Sequence, residues 1–559
     1  MSLRFCFCIV WLILSTGCGS QSQVQPPSSV RQTVDDSPSH MRFVDRTETL
    51  GIDFVYQNGE AANKYTILES IGGGVAICDY DLNGLDDLLF PGGGLFSSEN
   101  QLSGLPTALF SQVSSDQFVN QSLNSGIAAA RYYSHGCSVA DYDNDGFPDV
   151  VITGYGGILV WHNLGDGTFE EVSELSGLID PSWSTSAGWG DLNGDGALDL
   201  YLTHYVDWSF KNDPLCGDTA KPQDVCPPRR FKGLDDRVFF SNGDGTFHDA
   251  TKKAGLVSAG KGLGVVLGDL DEDLDLDIYV GNDTTDNFLY LNQGQGNFQE
   301  AALVRGVAVD DEAVANGSMG VDIGDYNGDG QPDLWVANYE ADRFALYKNI
   351  GSGQFLYASR ETGVGTIGKL FVGFGTKFGD YDSDGDEDII VSNGHVIRYP
   401  KHTTVRQLPL LLENRGGRFQ RLTFDEKSYL GMLHHGRGLA TGDLDQDGDL
   451  DLVFANCNER ATILDNQTET DSKSIQVRLV GTKSNRDGIG ARIVFHTSQG
   501  DISRYVTGGG SYLSQNRYLV HCALPSDATM EAFTVYWPSG KRSVCDEPLA
   551  NGPLYNYVE

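Results

Sequence analysis

Residues 140–155, ADYDNDGFPDVVITGY, put carboxylates at every second position, break them with one glycine and then run into apolar residues. Like charges a few ångströms apart cannot all stay ionised unaided, so Asp141, Asp143, Asp145 and Asp149 call for a hard cation. Side-chain oxygens at positions 1, 3, 5 and 9, a carbonyl at position 7 (Phe147) and a glycine at position 6 (Gly146) form the ligand list of a calcium loop. This set suits Ca²⁺ better than Zn²⁺, which prefers His and Cys. An EF-hand would need a Glu at position 12 and a following helix. Here position 12 is Ile152, inside Val150-Val151-Ile152, a β-branched run that reads as a buried strand.

The loop recurs six more times. DYDLNGLDD offers Asp79, Asp81, Asn83 and Asp87, and DLNGDGALD offers Asp191, Asn193, Asp195 and Asp199. DLDEDLDLD offers Asp269, Asp271, Asp273 and Asp277; DYNGDGQPD offers Asp325, Asn327, Asp329 and Asp333. DYDSDGDED offers Asp380, Asp382, Asp384 and Asp388, and DLDQDGDLD offers Asp443, Asp445, Asp447 and Asp451. Up to seven Ca²⁺ ions are expected. In the fourth loop Leu274 replaces the position-6 glycine, a strained choice for a left-handed turn.

What must position these loops repeats with them, at about 61 residues per unit. A phenylalanine opens each second motif: Phe43, Phe118, Phe169, Phe247, Phe298, Phe355 and a degenerate Phe419. Several follow Asn-led Gly/Asp turns such as NLGDGTF, which are hairpin signals. A glycine sits five residues before the first ligand in six units (Gly74, Gly136, Gly264, Gly320, Gly375, Gly438), and Ser186 takes that slot in the third. Short strands with turn punctuation at this period predict an all-β, seven-bladed β-propeller.

These motifs resemble FG-GAP/VCBS calcium-binding propeller repeats over residues 42–470. The resemblance implies that each loop joins two strands of a blade on one face of the disc. After residue 470 the period stops. IQVRLVGTKSNRDGIGARIVF (475–495), GGGSYLSQNRYLVHCAL (508–524) and VYWPSGK (535–541) resemble the ASPIC/UnbV domain, placed at 471–545 with 546–559 as a tail. The pairing is that of the cartilage acidic protein/UnbV-like family. Relatives commonly read His-Phe-Gly-Leu-Gly where this chain has His521-Cys522-Ala523-Leu524-Pro525, so the tight glycine turn is not expected here.

The chain is acidic, with a formal net charge of −38 over 559 residues. Seven calcium ions would offset only part of this, and such a surface repels nucleic acid and anionic membrane. Residues 1–17, MSLRFCFCIVWLILSTG, have one basic residue and an apolar run too short to span a bilayer, the pattern of a signal peptide. Thr16-Gly17-Cys18 resembles a bacterial lipobox, with Cys18 as the lipidated residue and 18–41 as a Pro- and Ser-rich tether. An exported lipoprotein at the cell envelope, or a secreted protein, is expected.

Of ten cysteines, Cys216 and Cys226 bracket a long insertion in the third unit and are expected to bridge. Cys522 and Cys545 could pair within the last domain, and Cys78 suits a small buried thiol. The insertion at 207–236 supplies the candidate ligand-binding residues Trp208, Arg229, Arg230 and Phe231. His135, His204, His395, His434 and His435 flank metal loops on different units and read as packing or turn residues. No Gly-x-Ser-x-Gly elbow, His-Glu-x-x-His or phosphate-cradling loop is present. The expected function is a calcium-stabilised surface binding or adhesion module for a protein or polysaccharide ligand. The alternative is a secreted polysaccharide lyase or hydrolase, since propellers also carry such sites.

The lipobox yields one direct test. Cys18→Ser is expected to move the protein from the detergent-extracted membrane fraction to the soluble fraction; an unchanged distribution would remove the lipid anchor.

Overall fold

The structure, a computed structural model, describes residues 36–97, 99–218, 221–525, 527–546 and 554–559. The signal peptide and Cys18 lie outside the described residues. Among the described residues no helix is long and apolar enough to cross a membrane.

Seven antiparallel sheets of four repeat strands, consistent with a propeller, form the blades. Blade 2 shows the plan: Tyr133–Ala140, Asp149–Tyr155, Leu159–Asn163 and Phe169–Glu171 pair in chain order, with the Asp141–Asp149 loop between its first two strands. The repeated phenylalanines Phe169, Phe247, Phe298, Phe355 and Phe419 are buried, and each opens the fourth repeat strand of its blade. The first blade has Phe118 in Gln117–Asn120. The seventh blade borrows its fourth strand from the N-terminus: Phe43–Asp45 pairs with Thr462–Asn466, so the ring is closed by hydrogen bonds between the two ends of the repeat region.

The glycines five residues before the loops line the axis, where neighbouring innermost strands come closest. A Cβ at Gly264 would lie 2.2 Å from the Met319 carbonyl oxygen of the next blade, and one at Gly320 would lie 1.9 Å from that of Phe374. The same crowding links Gly375 to Arg437 and Gly438 to Gly73. Ser186 is tolerated in this slot because its hydroxyl donates to the Leu263 carbonyl across the same junction.

The C-terminal segment builds two further sheets, Val520–Leu524/Lys473–Val480/Leu554–Val558 and Gly500–Tyr505/Arg492–Thr497/Met530–Tyr536/Arg542–Cys545. Two expected boundaries therefore shift. Residues 546–559 are not merely a tail, because Leu554–Val558 pairs in parallel with Lys473–Val480 along five positions. The stretch assigned to the tether ends earlier, because Ser37–Pro38 pairs with Leu422–Thr423 and Met41 is buried.

This C-terminal domain also reaches into the propeller. Gly508–Gly509 adds to the innermost strand of blade 4, and residues 511–515 continue through the axis. Val321 donates to the Ser511 carbonyl and Cys137 to that of Leu513; Ser511 Oγ donates to the Leu439 carbonyl and accepts from Thr376. Leu513 donates to Ser186 Oγ, and Val75 to Ser514 Oγ. All seven blades touch the plug. The triple glycine 508–510 exists for this passage: a Cβ on Gly508 would stand 2.0 Å from the Trp189 carbonyl oxygen and one on Gly509 2.6 Å from that of Val265, with Gly509 and Gly510 at φ 70° and 93°.

Candidate metal centres

Every expected ligand set lies on the connection between the first and second strands of its blade, and all seven loops fold alike. The first aspartate accepts the position-6 amide through Oδ2 in each, at 2.8–3.1 Å, from Gly84, Gly146, Gly196, Leu274, Gly330, Gly385 and Gly448. Leu274 takes φ 75°, so the fourth loop keeps its shape at the cost of a left-handed leucine. The last aspartate opens the second strand and is buried in all seven. Asp149, for instance, accepts the Tyr142 amide at 3.3 Å and the Asn163 amide at 2.8 Å.

That third-strand residue carries the contact onward. The Asn163 amide nitrogen donates to the Tyr80 carbonyl in the preceding blade's loop, as Asn292 does to Leu192, Asn349 to Leu270, Asn414 to Tyr326 and Asn466 to Tyr381. Gln112 closes the ring by reaching Leu444 of the seventh loop. Blade 3 has Ser241 at this position. Six of the seven loops are thus stitched to the next blade by a buried amide, each worth about 1 kcal/mol net and more if broken from one side only.

The electrostatics call for positive charge. Burial, with neighbouring carboxylates adding to it, pushes Asp87, Asp141, Asp199 and Asp380 up to about 8 and Asp333 up to about 9. Asp79 Oδ1, Asp141 Oδ1, Asp271 Oδ1 and Asp382 Oδ1 are buried without a hydrogen-bond partner. Oxygen atoms of Asp79, Asp81 and Asp87, and likewise of Asp141, Asp143 and Asp149, converge within 4.8 Å. Buried, unpartnered and convergent carboxylate oxygens fit a hard cation.

The C-terminal domain covers this face and supplies part of the missing charge. Arg517 pairs with Asp86, Arg486 lies 3.3 Å from Asp141, Arg504 3.5 Å from Glu387 and Arg492 3.4 Å from Glu272. Tyr505 donates to the Gly330 carbonyl at 2.8 Å, Gln476 donates to Asp443, and His521 lies 2.9 Å from the Gly448 carbonyl. A Cβ on Gly196 would lie 2.8 Å from the Lys483 carbonyl oxygen. One domain therefore contacts all seven loops. Val520–Leu524 is followed by Pro525, which packs on Gly385.

The opposite face carries the insertion. Cys216 and Cys226 are joined by a disulfide, whereas Cys522 and Cys545 remain thiols on strands of different sheets. Trp208 and Phe231 are only 3% and 8% exposed and pack in one cluster with Trp183, Tyr205 and Met319, so neither ring offers a face to an outside ligand. Arg229 and Arg230 are exposed. Arg229 borders an axial cavity of about 360 Å³ whose wall includes Ile71, Met319, Phe374, Asp283 and Asp342. Inside it the Tyr205 hydroxyl donates to Asp283 at 2.5 Å. His135 and His204 are fully buried, with His135 accepting from Trp183 Nε1. The sequence reading missed the plug, Arg486, Arg517 and His162, whose Nδ1 lies 3.1 Å from Asp149. Their signals were weak because each belongs to a loop or strand only through a contact distant in the chain.

A pH dependence follows. An aspartate whose folded-state pKa is raised from 3.8 to about 8 binds its proton more tightly in the folded chain. Its contribution is complete below the ordinary value and is lost as pH rises through the raised one. In chelator, the melting temperature is expected to fall by about 5 °C or more between pH about 5 and about 9. Millimolar CaCl₂ should abolish that fall, because the ligating carboxylates are then ionised throughout; scanning fluorimetry in both buffers checks it.

Comparison with known families agrees with this architecture. Residues 141–202, 269–336 and 325–391 match the FG-GAP-like repeat, and residues 481–554 match ASPIC and UnbV. The chain is 25% identical over 410 residues to cartilage acidic protein 1 of Homo sapiens, covering 70% of this chain and 55% of that protein. It is 24% identical over 493 residues to the Xenopus tropicalis protein, covering 76% and 73%. The chain thus spans little more than half the length of the human relative. Among solved structures, an Agrocybe aegerita lectin that recognises non-reducing terminal N-acetylglucosamine aligns at TM-score 0.39 and 17% identity, covering 70% of this chain and 87% of that one. The Vibrio cholerae biofilm matrix protein Bap1 aligns at TM-score 0.31 and 12% identity, covering 75% and 60%. The chain carries FG-GAP-like repeats followed by an ASPIC/UnbV domain and is distantly related to cartilage acidic protein 1.

Proposed function

We propose that the protein is an extracytoplasmic, calcium-stabilised binding or adhesion module, held at the cell envelope through Cys18 or secreted. It meets its protein or glycan ligand on the face opposite the metal loops. The observation that carries this reading is the coverage of the loop face: the C-terminal domain touches all seven loops, so a large ligand has access only to the other side. Calcium then serves the fold and its assembly with the C-terminal domain, and takes no part in ligand contact.

That open face carries the long connections between second and third strands of blades 1, 3 and 6 and the segment that leads into blade 1, and these hold one another in place. Arg398 of blade 6 pairs with Glu69 at 2.6 Å and Glu60 at 3.2 Å ahead of blade 1. Asp224 of the insertion accepts the Arg398 and Tyr399 amides. Such a crown around an axial cavity is a concave, largely apolar site with a few charged groups, as ligand sites usually are. On a chain of net charge −38, the exposed pair Arg229 and Arg230 offers cationic donors to an acidic or hydroxyl-rich ligand.

Arg229→Ala combined with Arg230→Ala is expected to weaken capture about tenfold or more in a glycan array and an envelope-protein pull-down. The melting temperature should stay unchanged, because both side chains are exposed. A large fall in melting temperature would make the insertion structural, and polysaccharide turnover abolished by changes in one residue cluster would favour an enzyme instead.

A further inference from the structure

In the third strand of each blade one residue stands next to the anchor of the metal loop. It precedes the residue whose amide binds the loop's last aspartate, and in chain order it is Ser111, His162, Phe240, Leu291, Lys348, Glu413 and Asp465. The loops are alike, but this residue is not. Phe240 and Leu291 bring no donor. Ser111 Oγ lies 3.4 Å from Asp81, and Lys348 puts its ammonium 3.0 Å from Asp329, where it supplies a fixed positive charge. Glu413 and Asp465 are each already held by an arginine at 2.9 Å, Arg415 and Arg46.

Of these seven, His162 alone brings a nitrogen that can give a lone pair to a metal ion. Its Nδ1 is 3.1 Å from Asp149 Oδ1 and 3.5 Å from Asp143 Oδ2. Two ligands about 2.0 Å from a tetrahedral ion stand about 3.3 Å apart, so the His162–Asp143 separation is close to that of a shared metal. Ligand atoms of Asp143, Asp145 and His162 fall within 4.8 Å of one another. So do those of Asp141, Asp143 and Asp149, where Asp141 is 3% exposed and its Oδ1 has no partner. Arg486 approaches the other oxygen, Oδ2.

We propose that the blade 2 loop is a mixed nitrogen and oxygen site for a transition-metal ion of the Zn²⁺/Co²⁺ class, with the His162 imidazole as a ligand beside Asp143 and Asp145. Calcium favours all-oxygen shells, whereas imidazole adds affinity for zinc, cobalt and nickel. One residue outside the loop thus changes the ion preference of the blade 2 site. This inference rests on the reading of the loops as cation sites and extends it to selectivity.

The test uses the full chain, stripped with chelator and dialysed against millimolar CaCl₂ with a slight excess of CoCl₂ as the probe. Metal content is measured by mass spectrometry, and the ligand field by visible absorption. Wild type is expected to retain one cobalt with bands indicating nitrogen ligation while still binding calcium. His162→Phe, which copies Phe240 of blade 3, should lose that cobalt by about tenfold or more in affinity and keep its calcium and its circular dichroism. Cobalt held equally by wild type and His162→Phe, with calcium bound in both, would overturn the proposal and leave the loops as calcium sites. Wild type binding neither metal would overturn the loop reading itself.

Discussion

Each loop's last aspartate is the point on which the propeller turns. All seven are buried beside other carboxylates; six accept two backbone amides and Asp333 one, and in every blade except the third the residue so held reaches into the neighbouring blade. Asp388 does all of this: it accepts the Tyr381 and Asn414 amides, and Asn414 in turn donates to Tyr326 of blade 5. A buried carboxylate in such company stays ionised only if positive charge stands nearby. The arginines of the C-terminal domain supply some of it, and the cations expected in the loops supply the rest. Loop chemistry, blade-to-blade contact and domain docking are therefore one problem with one electrostatic solution.

That coupling explains why the two parts of the chain do not behave as beads on a string. The core that runs through blades 2, 3 and 4 continues into Val477, Ile493, Phe533 and Trp537 without a break. The plug fills the axis and makes hydrogen bonds to every blade. Ser511 and Leu513 adopt φ 58° and 55° in doing so, conformations that cost energy for non-glycine residues and persist because the surrounding strands fix them. One face is closed by this arrangement. The other carries the stapled insertion and the axial cavity.

The repeat was legible because its constraints are local: carboxylates two apart, a glycine or a strained leucine in a fixed turn, a phenylalanine opening the outer strand. The axial glycines were visible as a regularity, and Ser186 as its exception, but the carbonyls that exclude a Cβ come from the next blade, about 60 residues away. Contacts of greater sequence separation left no pattern at all. The triple glycine 508–510 carries no sign that it threads between blades, and Trp208 and Phe231 look like surface aromatics until Trp183 and Tyr205 are seen beside them. His162 hid in a strand, since its neighbours Trp161 and Asn163 have structural duties and nothing in the spacing ties it to the loop before it.

The central claim is that cations in the loops hold the propeller and its C-terminal domain together. Extracellular calcium modules bind with Kd of roughly 10⁻⁴ to 10⁻³ M. At about 2 mM Ca²⁺ a site of 0.1 mM would add roughly 1.8 kcal/mol, and seven independent sites about 12 kcal/mol. That is comparable with the roughly 5–15 kcal/mol by which folded domains are stable. Differential scanning calorimetry of the full chain, in calcium and in excess chelator with metal content verified, measures this directly. The account predicts one cooperative transition in calcium that moves down steeply, or is lost, on chelation. An unshifted transition in protein shown to be metal-free would contradict it.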